Sequence, residues 1–244
     1  MDMHTSTILI GSYDYRLVGL SILISIFAAY TALDLAGRVT AAHGAARSAW
    51  LSGGALAMGM GIWSMHYVGM EAFRLPVAVQ YDWPTVLLSM AAAVLASAVA
   101  LFVVSRKTMG MPAAVLGSLL MGTGIAAMHY IGMDAMRLPA MCRYSSGLVT
   151  LSVVLAIVIA FAAMWLTFGV RGQVATWSWR KSGSALLMGL AIPTMHYVGM
   201  AAVSFMPASL TASELTHAVS ISELGVAGIA LVQRFTKTFT YTEV

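Results

Sequence analysis

Three short segments of this 244-residue chain carry the same chemistry-bearing side chains in the same order. Met65-His66-Tyr67-Val68-Gly69-Met70 recurs as Met128-His129-Tyr130-Ile131-Gly132-Met133 and as Met195-His196-Tyr197-Val198-Gly199-Met200, at intervals of 63 and 67 residues. On a helix, residues four apart share a face. His66 and Met70, His129 and Met133, and His196 and Met200 therefore each offer an imidazole and a thioether one turn apart. The first methionines, Met65, Met128 and Met195, turn onto a neighbouring face. Imidazole plus thioether is a soft, neutral donor set that suits copper, Cu(I) in particular, better than zinc or magnesium. Neutral donors also let a buried cation bind without a second bare charge. Each residue type has a blander role as well. Methionines at helical spacing pack cores, and tyrosines near span ends anchor at interfaces, although Tyr67, Tyr130 and Tyr197 could also hold a ligand in place or do redox work. Three equivalent histidines, each followed four residues later by methionine, read as a ligand set rather than as packing.

The elements that position these residues are membrane spans. Sixty per cent of the chain is apolar, 9% is charged and the mean hydropathy is +0.86. A water-soluble domain carries about 25% charged residues, so this composition excludes a soluble globular enzyme, a disordered chain and a nucleic-acid module. Seven spans are expected, at 17–36, 48–70, 84–105, 112–135, 147–170, 182–206 and 219–234; the last is the shortest. The fold class expected is an all-α, polytopic helical bundle. The match between copies extends upstream, where Met58-Gly59, Met121-Gly122 and Met188-Gly189 precede each motif, as do Ile62, Ile125 and Ile192. Three repeated two-helix units are the simplest arrangement, with helices two, four and six parallel. Their glycines permit close approach of the helices.

The net charge of +4 and pI near 9.4 suit basic loops beside an anionic leaflet. Loops one, three and five and the C-terminal tail hold nine of the 13 Lys and Arg residues, against four on the other side. That split predicts an outside N-terminus and a cytoplasmic C-terminus in a multi-pass inner-membrane protein, with the motifs near the outer face. The expected organisation is an outside segment 1–15, a membrane domain 16–234 and a cytoplasmic tail 235–244. No cleavable signal peptide, phosphate loop, dinucleotide fingerprint or nucleophile elbow is evident, and the single Cys142 excludes an intramolecular disulfide. Asp34 and Arg38 read as a local ion pair. Glu71 and Asp134 read as solvated or paired with Arg74 and Arg137. His4, His43 and His217 read as solvated loop residues.

The triplicated Met-His-Tyr segments, each at the end of an even-numbered span, resemble the MHYT domain of bacterial membrane signalling proteins. The resemblance covers Tyr15 to about Leu231. It implies a sensory module that binds copper through Met65, His66, Met70, Met128, His129, Met133, Met195, His196 and Met200, and senses oxygen, carbon monoxide, nitric oxide or redox state. Val68, Ile131 and Val198 stand where the family has Thr; since Thr is a poor ligand, metal binding is expected to survive. Relatives carry output domains, whereas this sequence ends about ten residues after its last expected span. A separate cytoplasmic output protein is therefore the expected partner, besides the lipid bilayer and a diatomic gas. No enzymatic activity and no nucleic-acid partner are expected. The competing readings are a copper handler or transporter, a membrane oxidoreductase using the motif tyrosines, and a purely structural subunit.

Overall fold

Local signals set the helix ends in the computed structural model, which describes residues 8–172, 179–211 and 215–220. The Asp14 carboxylate accepts from the Arg16 amide and starts α1, Tyr15–Ala41. Gly44, at φ +56°, lets the chain reverse after two residues and enter α2, Gly44–Glu71. Asp82 accepts from both the amide and the hydroxyl of Thr85, and with Pro84 in the first turn it starts α3, Trp83–Val104. Pro112 does the same for α4, Met111–Asp134. The last two helices are α5, Ser146–Val170, and α6, Trp179–Ala201. Five of the six are long and apolar enough to cross a bilayer, which makes this a membrane protein; α2 has the length but is diluted by Gly, Ser and His. These helices fall on the first six expected spans. The seventh, 219–234, lies outside the described residues beyond Ser220.

Each helix packs on its sequence neighbours, and α6 returns to α1, so the bundle is a closed ring. Its interior is built from small side chains: Ser21, Ser25, Ala29, Ala36, Ala93, Ser97, Ala114, Ser152, Ala156 and Ala160 are all at most 3% exposed. Large apolar residues face outward instead, among them Phe27, Leu88, Leu95, Leu116, Val158 and Leu187, each more than half exposed. A bundle surrounded by lipid gains nothing by hiding leucine, and gains van der Waals contact when small residues let backbones approach. Gly59, Gly122 and Gly189 show the approach at its closest. A Cβ at these positions would overlap the backbone of Val94, Ile157 and Ile26 on α3, α5 and α1.

The connections at the motif end are not the plain loops that an all-α reading predicts. They form seven short strands: β1, Ser12–Tyr13; β2, Phe73–Arg74; β3, Gln80–Asp82; β4, Met136–Arg137; β5, Ala140–Tyr144; β6, Val203–Pro207; and β7, Ala218–Val219. All pairings are antiparallel: β1 with β2, β3 with both β4 and β7, and β5 with β6 in the register Ala140↔Pro207 to Tyr144↔Val203. The strands join segments that follow α2, α4 and α6, which places the C-terminal ends of these three helices together. The start of β6 also ends α6 at Ala201, five residues short of the expected limit. Of the two readings of Glu71 and Asp134, solvated or paired with Arg74 and Arg137, the pairing is corrected here. Arg74 approaches Asp14 and Arg137 approaches Asp82, each at 3.9 Å, because the strands carry the arginines toward the caps of α1 and α3. Arg137 reaches only the backbone carbonyl of Asp134, at 2.7 Å.

At the opposite end, Lys181 of α6 is buried and holds Asp34 of α1 at 2.9 Å, with its ammonium over the Tyr30 ring. Asp34 also holds Arg38 at 2.7 Å, as the sequence predicts. This pair sits on the one contact that joins the first helix to the last. Removing Asp34 would strand a buried ammonium, whereas Lys181→Met removes the charge and keeps the volume. Asp34→Ala should therefore cost roughly 2–4 kcal/mol and Lys181→Met less than about 1 kcal/mol. Thermal unfolding in detergent, followed by circular dichroism, measures the contrast; equal losses would show that the pair does not close the ring.

Candidate metal centre

His66, His129 and His196 lie one turn or more before the C-terminal ends of α2, α4 and α6. The three side chains meet on the axis of the ring. Their Nδ1 atoms form a nearly equilateral triangle with sides of 3.1, 3.2 and 3.2 Å. The rings stand on edge to one another, with centroids 5.0–5.1 Å apart and planes inclined at 79–87°, like the blades of a propeller. All three are at most 3% exposed.

This arrangement is frustrated as a purely protein structure. A neutral imidazole nitrogen is either a donor or an acceptor, never both. Three mutually facing Nδ1 atoms therefore cannot close a cyclic hydrogen-bonded ring. The opposite nitrogen of His129, Nε2, is buried without a hydrogen-bond partner. A cation at the centre of the triangle would satisfy all three inward lone pairs at once. The point equidistant from the corners is about 1.8 Å from each, and a small displacement out of the plane gives the roughly 2.0 Å of a metal–imidazole bond. The donor set thus fits a single small transition-metal ion with three nitrogen ligands. His66, His129 and His196 form a group of metal-compatible donors among the described residues.

The motif glycines make the triangle possible. The Nε2 edge of His66 lies where a Cβ of Gly132 would be, that of His129 against Gly199, and that of His196 against Gly69. Each copy of the motif seats the imidazole of another copy, in a closed cycle. The sequence reading assigned these glycines to helix approach in general; their specific role is to receive a ring.

All six motif methionines are buried, at 4% exposure or less. Met70, Met133 and Met200 enter one apolar cluster with Tyr81, Met136 and Phe205 on the strand side. Met128 and Met195 belong to the main core of the bundle with Met58 and Met121. The structure therefore gathers the histidines into one point and divides five of the six motif methionines between two apolar groups, with Met65 buried outside both. The hydroxyls of Tyr130 and Tyr197 are held by other helices, at Ser152 and Ser21, at 2.6 and 2.9 Å. In the first copy, Tyr67 stacks on Trp63, whose indole N–H donates to Ser89 at 3.1 Å. Ser21, Ser89 and Ser152 went unnoticed in the sequence, yet their intervals of 68 and 63 residues nearly match those of the motif. Glu71 and Asp134 make no contribution to the triangle. His43 precedes α2 without a side-chain capping bond, exposed His217 lies edge-on to Trp83, and His4 is outside the described residues.

The family model described as a bacterial signalling protein N-terminal repeat, MHYT, matches residues 59–117, 122–178 and 189–240. The chain is 48% identical to the bifunctional diguanylate cyclase/cyclic di-GMP phosphodiesterase MucR of Pseudomonas aeruginosa, over 81% of this chain and 29% of that protein. It is 39% identical to the cyclic di-GMP phosphodiesterase NbdA of the same organism, over 88% and 27%. It is 38% identical to the signaling protein YkoW of Bacillus subtilis, over 80% and 24%. The chain thus spans less than a third of the length of these curated relatives. No solved structure matches it.

The glycine cycle has a direct consequence. Gly132→Ala forces the His66 ring out of its seat and should cost about 1–3 kcal/mol through overpacking. Gly53→Ala, in the same helix as His66 but facing open space, should be neutral or stabilising by about 0.5–1 kcal/mol. Unfolding midpoints of the two variants in detergent test this; an unchanged midpoint for Gly132→Ala would mean the ring is not seated there.

Proposed function

This chain belongs to the MHYT family, and on that premise we propose that it is a membrane-integrated sensor domain whose three histidines hold one copper ion. The observation that carries the proposal is the triangle of Nδ1 atoms. Three neutral nitrogens at that separation, with thioethers around them, favour a soft ion over a hard one. Bound copper supplies reversible one-electron chemistry and affinity for small diatomic ligands. The protein's own part is to exclude water with the strand cap, to fix the imidazoles against the glycines, and to keep carboxylates away from the site. A cavity of about 20 Å³ touches His66, Tyr67 and Ser89. It has room for a single water-sized ligand, which supports a diatomic gas as the signal.

The reading extends to architecture. The motif end faces the outside, as the distribution of Lys and Arg favours. Three two-helix units surround the axis. The repeated contacts of Gly59, Gly122 and Gly189 with α3, α5 and α1 support the threefold plan. A change in the distance between the imidazoles moves α2, α4 and α6 directly, because each helix contributes both a ring and the seat for another ring. The signal then passes to a cytoplasmic output module. The names of MucR and NbdA assign cyclic di-GMP turnover to those relatives, and that chemistry is the output proposed here.

Metal analysis of detergent-purified protein after Cu(I) loading tests the site. The histidines should account for about one copper per chain, bound in part through nitrogen at about 2.0 Å in X-ray absorption spectra. Substitution of any one histidine by Ala should weaken that copper at least tenfold. Equal copper content and an unchanged nitrogen shell in the variant carrying all three substitutions would refute the proposal.

A further inference from the structure

Met58, Met121 and Met188 each stand eight residues before a motif histidine, two turns further from the strand cap. Ile62, Ile125 and Ile192 stand between, one turn from each. Each even-numbered helix thus contributes to three successive layers: histidine, isoleucine, methionine. All three of these methionines are buried, at 7%, 3% and 5% exposure.

Two small cavities occupy the axis, and all three methionines line both. One cavity is bounded on its other side by the isoleucine layer. The other continues away from the histidines toward Leu101, Met164 and Thr167. Each holds about 20 Å³. The methionine layer therefore has free volume on both faces, unlike a methionine that fills a gap in a dense core. Flexible thioethers beside free volume can turn their sulfurs inward without displacing backbone. Thr167 places its hydroxyl 3.9 Å from the Met188 sulfur, while its proton is committed to the Ala163 carbonyl at 2.6 Å. No carboxylate lines either cavity.

We propose that Met58, Met121 and Met188 form a second site on the axis, an all-thioether site for a soft monovalent cation, Cu(I) or Ag(I). Three neutral sulfurs in an apolar chamber select for softness and low charge. A hard ion entering this chamber would lose its water and find almost no oxygen in exchange, whereas Cu(I) and Ag(I) bind thioethers well. The site is independent of the histidine triangle, from which the isoleucine layer separates it.

The test uses the full chain with Cys142→Ser, which removes the competing thiol. Cu(I) is titrated in detergent against a colorimetric Cu(I) chelator. The Cys142→Ser chain should hold two equivalents against the chelator. The near-isosteric variant Met58→Leu/Met121→Leu/Met188→Leu should hold one, with the nitrogen shell intact. X-ray absorption of the His66→Ala/His129→Ala/His196→Ala variant provides a check that leaves the methionines in place: its remaining copper should show sulfur at about 2.3 Å and no nitrogen. Two equivalents retained by the triple leucine variant, or no sulfur shell in the triple alanine variant, would overturn the thioether site. If instead the triple alanine variant keeps both equivalents, the histidine reading falls while the thioether site is judged by the leucine variant alone.

Discussion

Three neutral imidazoles pointed at one another inside a protein are unstable company, and the rest of this structure is arranged to hold them there. Their inward nitrogens compete for hydrogen bonds that a triangle cannot supply. The outward nitrogen of His129 is buried unpaired. Close packing sustains the arrangement: each ring lies over a glycine of another helix, so no imidazole can swing away without entering backbone. The constraint is mutual, and for that reason the three helices behave as one element.

Lipid explains how such packing is achieved. The bundle reverses the distribution of a soluble protein, with alanine, serine and glycine inside and leucine, phenylalanine and valine outside. Small residues bring the helix axes close, and the serines then do double duty. Ser21 and Ser152 accept hydrogen bonds from the motif tyrosines, and Ser89 accepts one from the Trp63 indole, while the serines' own hydroxyls donate to backbone carbonyls of their helices. The ring is fastened at the two ends by different chemistry. Antiparallel strands cover the histidine end, and the Asp34–Lys181 pair joins α1 to α6 at the other. Arg171 reinforces that second end by donating to the carbonyls of Val104, Arg106 and Lys107, which places positive charge at the C-terminus of α3.

A sensor built this way has a short mechanical path. Whatever occupies the triangle acts at once on three parallel helices, and the same helices carry the methionine layer and the axial cavities toward the opposite end. In the signalling relatives the matched stretch makes up less than a third of the length.

Much of this was present in the order of residues. The spans follow from composition, since a chain with 9% charge cannot cover a soluble surface. The triplicated His–Met spacing identifies the candidate ligands, since a helix fixes which side chains share a face. The ion pair of Asp34 with Arg38 is equally local. The short strands escaped notice because two- to five-residue segments carry too little alternation to register as strands. The true partners of Arg74 and Arg137 escaped because they are set by pairing between distant connections. The serines were overlooked because a lone serine in an apolar run signals nothing until its spacing is compared with the motif. By itself, then, the sequence determined the bilayer setting, the repeat and the candidate donors, all of which are properties of single helices. Only the tertiary structure decided that the three imidazoles meet through Nδ1, that each is seated on another copy's glycine, and that the ring closes through Lys181, because these depend on how helices from distant parts of the chain cross in space.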